Sequence, residues 1–164
     1  MKVPVVAAGG LYDGRGLAAS LCLGATGVWM GTRFIASREA HAAELYREVI
    51  LEASDEDTVR TRSYSGKPMR VKKNPYVADW ESRPAEIQPF PQQAMISHRE
   101  GVMGGIGGQI EGLDPDRSAF AMGQSAGGIH DVAPAGEIVK RIMAEAEAAL
   151  DKAAALRSKA AEPA

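Results

Sequence analysis

MKVPVVAAGGLYDGRGLAASL, residues 1–21, is the stretch whose reading decides the fold. Val3, Val5, Val6, Ala7 and Ala8 make a short β-branched-rich apolar run, the pattern of a strand covered on both faces. Gly9-Gly10 breaks the run, and Asp13 supplies a helix N-cap. A helix-compatible segment follows, with apolar positions at Leu17 and Leu21 and Gly24 as its stop signal. A junction of this kind suits an anion, because unpaired backbone N–H groups converge where a strand ends and a helix begins.

The pattern then recurs. ATGVWMG (25–31) reads as a second buried strand through Val28, Trp29 and Met30, ending at Gly31-Thr32. SREAHAAELYREVILEAS (37–54) reads as a helix capped by Ser37, with Tyr46, Val49, Ile50 and Ala53 on one face. Strand, helix, strand, helix is the order of a parallel sheet or barrel. The right-handed crossover rule sets strands at about 3–8 and 26–31 side by side, with Gly9-Gly10 and Gly31-Thr32 at the same end. In a parallel barrel such ends share the face that commonly builds a phosphate site. Ala8, Gly9, Gly10 and Gly31 would let the backbone approach a phosphate, with Thr32 adding a hydroxyl and Arg33 a charge. Tight turns alone would also account for the glycines.

Three segments follow from this reading: 1–54, the two βα units with their phosphate loops; 55–113, an irregular proline- and glycine-rich excursion; and 114–164, a pocket loop and a C-terminal helix. The excursion is predicted to hold one short helix over 55–99 and to be packed down by Tyr64, Tyr76, Trp80 and Phe90. The glycine-rich 101–113 stretch lacks the Lys-Ser/Thr ending of a Walker loop and reads as a flexible loop. GQSAGG (123–128) is better placed to present Gln124 and Ser125 to a pocket. The last helix runs from Gly136 to about Lys159, with Ile138, Ile142, Ala146, Leu150 and Ala153 near helical spacing and a fraying KAAEPA tail.

A chain of 164 residues that is 45% hydrophobic and 24% charged can build a real core. Its net charge of -2 supports neither a nucleic-acid nor an anionic-membrane role. The single cysteine, Cys22, excludes an internal disulfide and a cysteine-based zinc cluster, and reads as a packed, inert thiol. VPVVAA is too short to cross a membrane, and Pro4, Gly9 and Gly10 spoil it as a signal-peptide core, so a cytoplasmic setting is expected. His41 reads as a solvated helix residue, His98 as a loop residue, and His130 precedes Asp131. Their spacing gives no metal site and no catalytic assignment.

VPVVAAGGLYDGRGLAASLCLGATGVWMGTRF (3–34), then DTVRT, KPMRVKKN and GQSAGGIHDVAPAGEIV, resembles the C-terminal half of the nitronate monooxygenases, formerly called 2-nitropropane dioxygenases. MGGIGGQIEGL (103–113) is a local departure from that family. The resemblance implies an α/β fold: the C-terminal part of a TIM-barrel-like FMN-binding enzyme, with the last two βα units, an irregular insertion and a C-terminal helix. It implies that Ala8, Gly9 and Gly10 match the loop after the seventh barrel strand, which contacts the FMN phosphate, and that Gly31 and Thr32 match the loop after the eighth. Gln124 and Ser125 match a segment near the flavin and substrate pocket. The first six strands, the flavin-ring contacts and the histidine of nitronate chemistry fall outside the match, and none of the three histidines here corresponds to it. The implied reaction converts an alkyl nitronate and oxygen to a carbonyl compound and nitrite. The alternatives are an FMN-dependent enoyl-ACP or quinone reductase of the same family, and a non-catalytic remnant or subunit completed by a separate N-terminal half or by self-association.

Overall fold

The computed structural model describes residues 3–160, with side chains up to 156. Strand β1 (Val6–Ala8), helix α1 (Gly14–Cys22) and strand β2 (Gly27–Trp29) form the first βαβ unit. The strands pair in parallel, Val6 beside Gly27, Ala7 beside Val28 and Ala8 beside Trp29, as the crossover rule requires. Asp13 caps α1 as expected, its Oδ1 accepting the Gly16 N–H at 2.9 Å. Gly24 ends the helix with φ +94, a left-handed turn that glycine adopts without strain.

Both strands are shorter than predicted, and they are not covered on both faces. Val3 is 64% exposed, Val6 54% and Trp29 74%. The physical reason lies in the sheet: β1 and β2 have only each other as neighbours among the described residues. Cys22, expected to be packed, is exposed, because burial along α1 stops at Ser20.

Helix α2 (Thr32–Ile35) follows β2, and helix α3 (Glu44–Glu52) begins seven residues after the predicted cap. Ser37 caps nothing new; its hydroxyl donates back to Phe34 O at 2.6 Å, and its backbone bridges to Ala133. Such back-bonding by a serine competes with starting a helix. His41 therefore precedes α3 instead of lying in a helix, and it is exposed. Tyr46, Val49, Ile50 and Ala53 are buried as predicted, packed with Phe120, Met122, Ala126 and Ile129.

The excursion over 55–99 is more regular than its composition implies. Strand β3 (Thr58–Thr61) pairs antiparallel with strand β4 (Met69–Lys72), and helices α4 (Pro75–Glu81) and α5 (Gln92–Arg99) follow. His98 accordingly lies on a helix. Tyr64, Tyr76 and Trp80 pack this layer as expected; Tyr64 and Tyr76 stack with ring centroids 5.1 Å apart. Burial pushes the Tyr64 hydroxyl up to about 12, and that hydroxyl donates to the Arg117 and Ser118 carbonyls. Phe90 instead lies half-exposed under the Lys67 ammonium, 4.0 Å from the ring centroid. The 101–113 stretch has neither helix nor strand, yet Val102 is buried and Gly105 packs against the Ala119 backbone.

Helix α6 (Ala135–Ala160) matches its predicted extent, and the last four residues of the expected tail lie outside the described ones. It packs on α1 through Leu17, Ala18, Ile138, Ile142 and Ala146. Gly14 permits this: its amide donates to Glu145 Oε2 at 2.9 Å, and any side chain there would run into the Ile142 carbonyl and the Ala146 amide. Gly14→Ala is therefore expected to lower stability by about 1–3 kcal/mol, read as a fall in thermal midpoint by circular dichroism. An unchanged midpoint would mean that the two helices sit further apart.

Candidate functional site

Three backbone segments define the site. The parallel register carries Gly9-Gly10 and Gly31-Thr32 out of the same end of the β1–β2 pair. Gly9 and Gly10 both sit at positive φ, +89 and +72, a conformation that costs an L-residue about 1–2 kcal/mol. A Cβ on either would meet nothing within 4 Å, so conformation, not crowding, selects glycine there. The space over these turns is open. Gly31 is equally uncrowded, and it precedes α2, whose first amides have no intrahelical acceptor.

The third segment is Gln124–Gly128, a single 3-10 turn. Thr32, 8% exposed, joins it to the strand ends: its Oγ1 accepts the Gly123 N–H at 2.9 Å. A Cβ at 123 would lie 3.5 Å from Ser125 Oγ and 3.7 Å from Thr32 Oγ1, so the two hydroxyls converge on this glycine. Ser125 is buried and Gln124 exposed. At the far end of the segment, Gly127 lies against the Ser54–Asp55 backbone and Gly128 under the Tyr12 ring. All seven candidate positions thus fall on three adjoining segments: Ala8, Gly9 and Gly10 at the first strand end, Gly31 and Thr32 at the second, Gln124 and Ser125 beside Thr32.

Arg33 does not add its charge to the glycine turns as expected. It is buried, donating from Nη1 to Asp131 Oδ1 at 2.9 Å and from Nη2 to the Asp131 and Ala36 carbonyls at 2.7 and 2.8 Å. Asp131 also accepts two bonds from Arg141, at 2.9 and 3.2 Å. Those hydrogen bonds, Arg141 foremost, hold the Asp131 carboxyl below its ordinary range. The sequence carried no sign of this tie, because Arg33 and Asp131 are 98 positions apart. Beside it, a cleft of about 400 Å³ is lined by Tyr12, Asp13, His130, Arg141 and Glu145, and takes in neither glycine turn. Among the described residues no three His, Cys, Asp or Glu side chains come together to hold a metal, and no helix is long and apolar enough to cross a membrane.

A parallel β1–β2 pair with two glycine turns at one end, joined to a third glycine-rich turn, is an arrangement known from α/β proteins. The family model for nitronate monooxygenase matches residues 1–145, and the chain belongs to that family. Probable nitronate monooxygenases of Staphylococcus aureus (strain NCTC 8325 / PS 47) and Staphylococcus saprophyticus are 42% identical over 93 residues and 43% over 98. These alignments cover 57% and 60% of this chain but only 26% and 28% of those proteins. Among solved structures, FabK from Thermotoga maritima superposes with TM-score 0.79 at 37% identity, over 95% of this chain and 48% of that one. A nitroalkane oxidase from Streptomyces ansochromogenes gives 0.77 at 26% identity, over 93% of this chain and 42% of that one. The chain spans less than half the length of each.

Two outcomes test the geometry. Thr32→Val removes the acceptor of the Gly123 amide and is expected to cost about 1–3 kcal/mol in urea unfolding, with Thr32→Ser restoring most of it. Asp131→Asn leaves the buried Arg33 guanidinium short of its counter-charge, at a cost of about 1–2 kcal/mol near pH 7. A carboxyl held low stabilises the fold fully above its ordinary pKa and ceases to do so as pH falls through the lower folded value. The Asp131→Asn deficit should therefore shrink as pH falls below the ordinary carboxylate range; a deficit that stays constant as the solution is acidified would dismiss the ionic tie.

Proposed function

We propose that this chain is the phosphate-gripping C-terminal segment of an FMN-dependent nitronate monooxygenase-like oxidoreductase, working in the cytoplasm on small alkyl nitronates. One observation carries the reading: two glycine turns leave a parallel β1–β2 pair at the same end, and nothing crowds them. That arrangement fits a phosphate, which needs close backbone approach and convergent amides more than side chains. Gly9 and Gly10 would present amides from one turn, Gly31 and Thr32 from the next. Thr32 acts as a strut, since its buried Oγ1 holds Gly123 and so positions Gln124 and Ser125 beside the cofactor's approach. When bound, the flavin supplies the redox chemistry of the reaction.

In this reading the open faces at Val3, Val6 and Trp29 are covered by further βα units, on this polypeptide or another, that complete a barrel around the flavin ring. Without them the ring lacks most of its walls, at a cost of several kcal/mol using roughly 25 cal/mol per Å² of apolar surface left wet. Residues 1–164 alone are therefore expected to bind FMN weakly, by fluorescence quenching, and to show no nitronate-dependent oxygen uptake. Supplying the six preceding βα units should give a yellow complex that consumes oxygen on an alkyl nitronate. Gly10→Asp should then lose flavin, because it sets an anion and a strained side chain at the phosphate. Tight FMN binding by 1–164 alone would contradict the need for further walls around the ring, and normal flavin in the Gly10→Asp complex would remove Gly10 from the grip. Flavin reduction by NADH with no oxygen uptake on nitronate would move the assignment to a reductase of the same family.

A further inference from the structure

The chain carries a net charge of -2, yet residues 58–78 hold six of its 19 lysines and arginines and no carboxylate. The β3–β4 register sets Arg60 directly opposite Arg70 and Thr58 opposite Lys72. Period-two alternation puts these four on one face of the hairpin, while Val59, Val71, Thr61 and Met69 take the other, where Val71 is fully buried. Like charges directly opposite each other destabilise an antiparallel pair. The register thus places two cationic residues opposite each other on the hairpin's solvent face. Arg70 Nη1 donates to Thr58 Oγ1 at 3.1 Å, whereas among the described residues neither Arg60 nor Arg62 makes an ion pair.

Arg60 and Arg62 instead open on one cavity of about 540 Å³. Its lining includes one carboxylate, Glu81, which accepts a hydrogen bond from the Thr61 hydroxyl. Pro68, Pro84 and Ile87 form an apolar wall. Guanidinium forks match phosphate oxygens in geometry as well as charge, and an apolar wall suits a flat organic body. This layer packs on the Tyr64–Tyr76–Trp80 cluster, separate from the core under the glycine turns. We propose that the cavity is a second binding site, for a small phosphate-bearing ligand whose phosphates lie between Arg60 and Arg62 and whose apolar body rests on the proline wall.

The test is titration of the isotope-labelled chain with inorganic pyrophosphate and with ADP, followed by amide shifts and by thermal midpoint. Saturable shifts are expected at the amides of residues 60–62, with ADP binding tighter than pyrophosphate. The double variant Arg60→Gln/Arg62→Gln should weaken binding at least tenfold, and Lys140→Gln, an exposed α6 cation, should leave it unchanged. Without ligand, Arg60→Gln should melt no lower than the parent, because it removes a like-charge pair. Equal affinity in the double variant overturns the proposal, as does a response confined to residues 9, 10, 31 and 32, which reports the other site. ADP binding no tighter than pyrophosphate removes the organic body from the ligand class.

Discussion

The parallel ladder that sets Ala8 beside Trp29 is the constraint on which the rest depends. Parallel pairing forces the chain to cross over between the strands, and α1 is that crossover. It also sends both chain exits out of the same end, so two glycine turns that lie 22 residues apart in sequence become neighbours. An antiparallel pairing of the same strands would have separated them by a strand length. The meeting of the two glycine turns is therefore a consequence of topology first and of residue type second.

The remaining elements brace those turns. Helix α6 closes on α1 through Gly14, where backbone approaches backbone. The Arg33–Asp131–Arg141 tie fixes the chain leaving the 3-10 turn, and Thr32 fixes the chain entering it. Glycines 127 and 128 let that turn lie flat between Asp55 and the Tyr12 ring. The turns are thus backed by packed elements on one side and flanked by exposed apolar residues, Val3, Val6 and Trp29, on the other.

What was legible in the sequence follows from range. Local grammar gave the βαβ unit, the Asp13 cap, the stop at Gly24 and the buried face of α3, because each depends on residues within a few positions. The β3–β4 hairpin was missed because its strands are four residues long and carry Arg and Lys on the solvent face, which hides alternation in a polar stretch. Ser37 looked like a cap, but its hydroxyl found Phe34 O first. The segments of the candidate site could be picked out singly, yet the bond joining Thr32 to Gly123 spans 91 positions and left no local trace. Cys22 and the two strands looked buried because apolar residues usually are; here their cover is absent among the described residues.

The account stands or falls on whether the two glycine turns recognise a phosphate. Titrating the isotope-labelled chain with FMN and, separately, with riboflavin, which has the same ring and no phosphate, isolates that group; amide shifts report even weak binding. The account predicts that FMN moves the Gly9, Gly10, Gly31 and Thr32 amides together and that riboflavin leaves them in place. Equal shifts from both ligands, or FMN shifts that avoid these four residues, would contradict it.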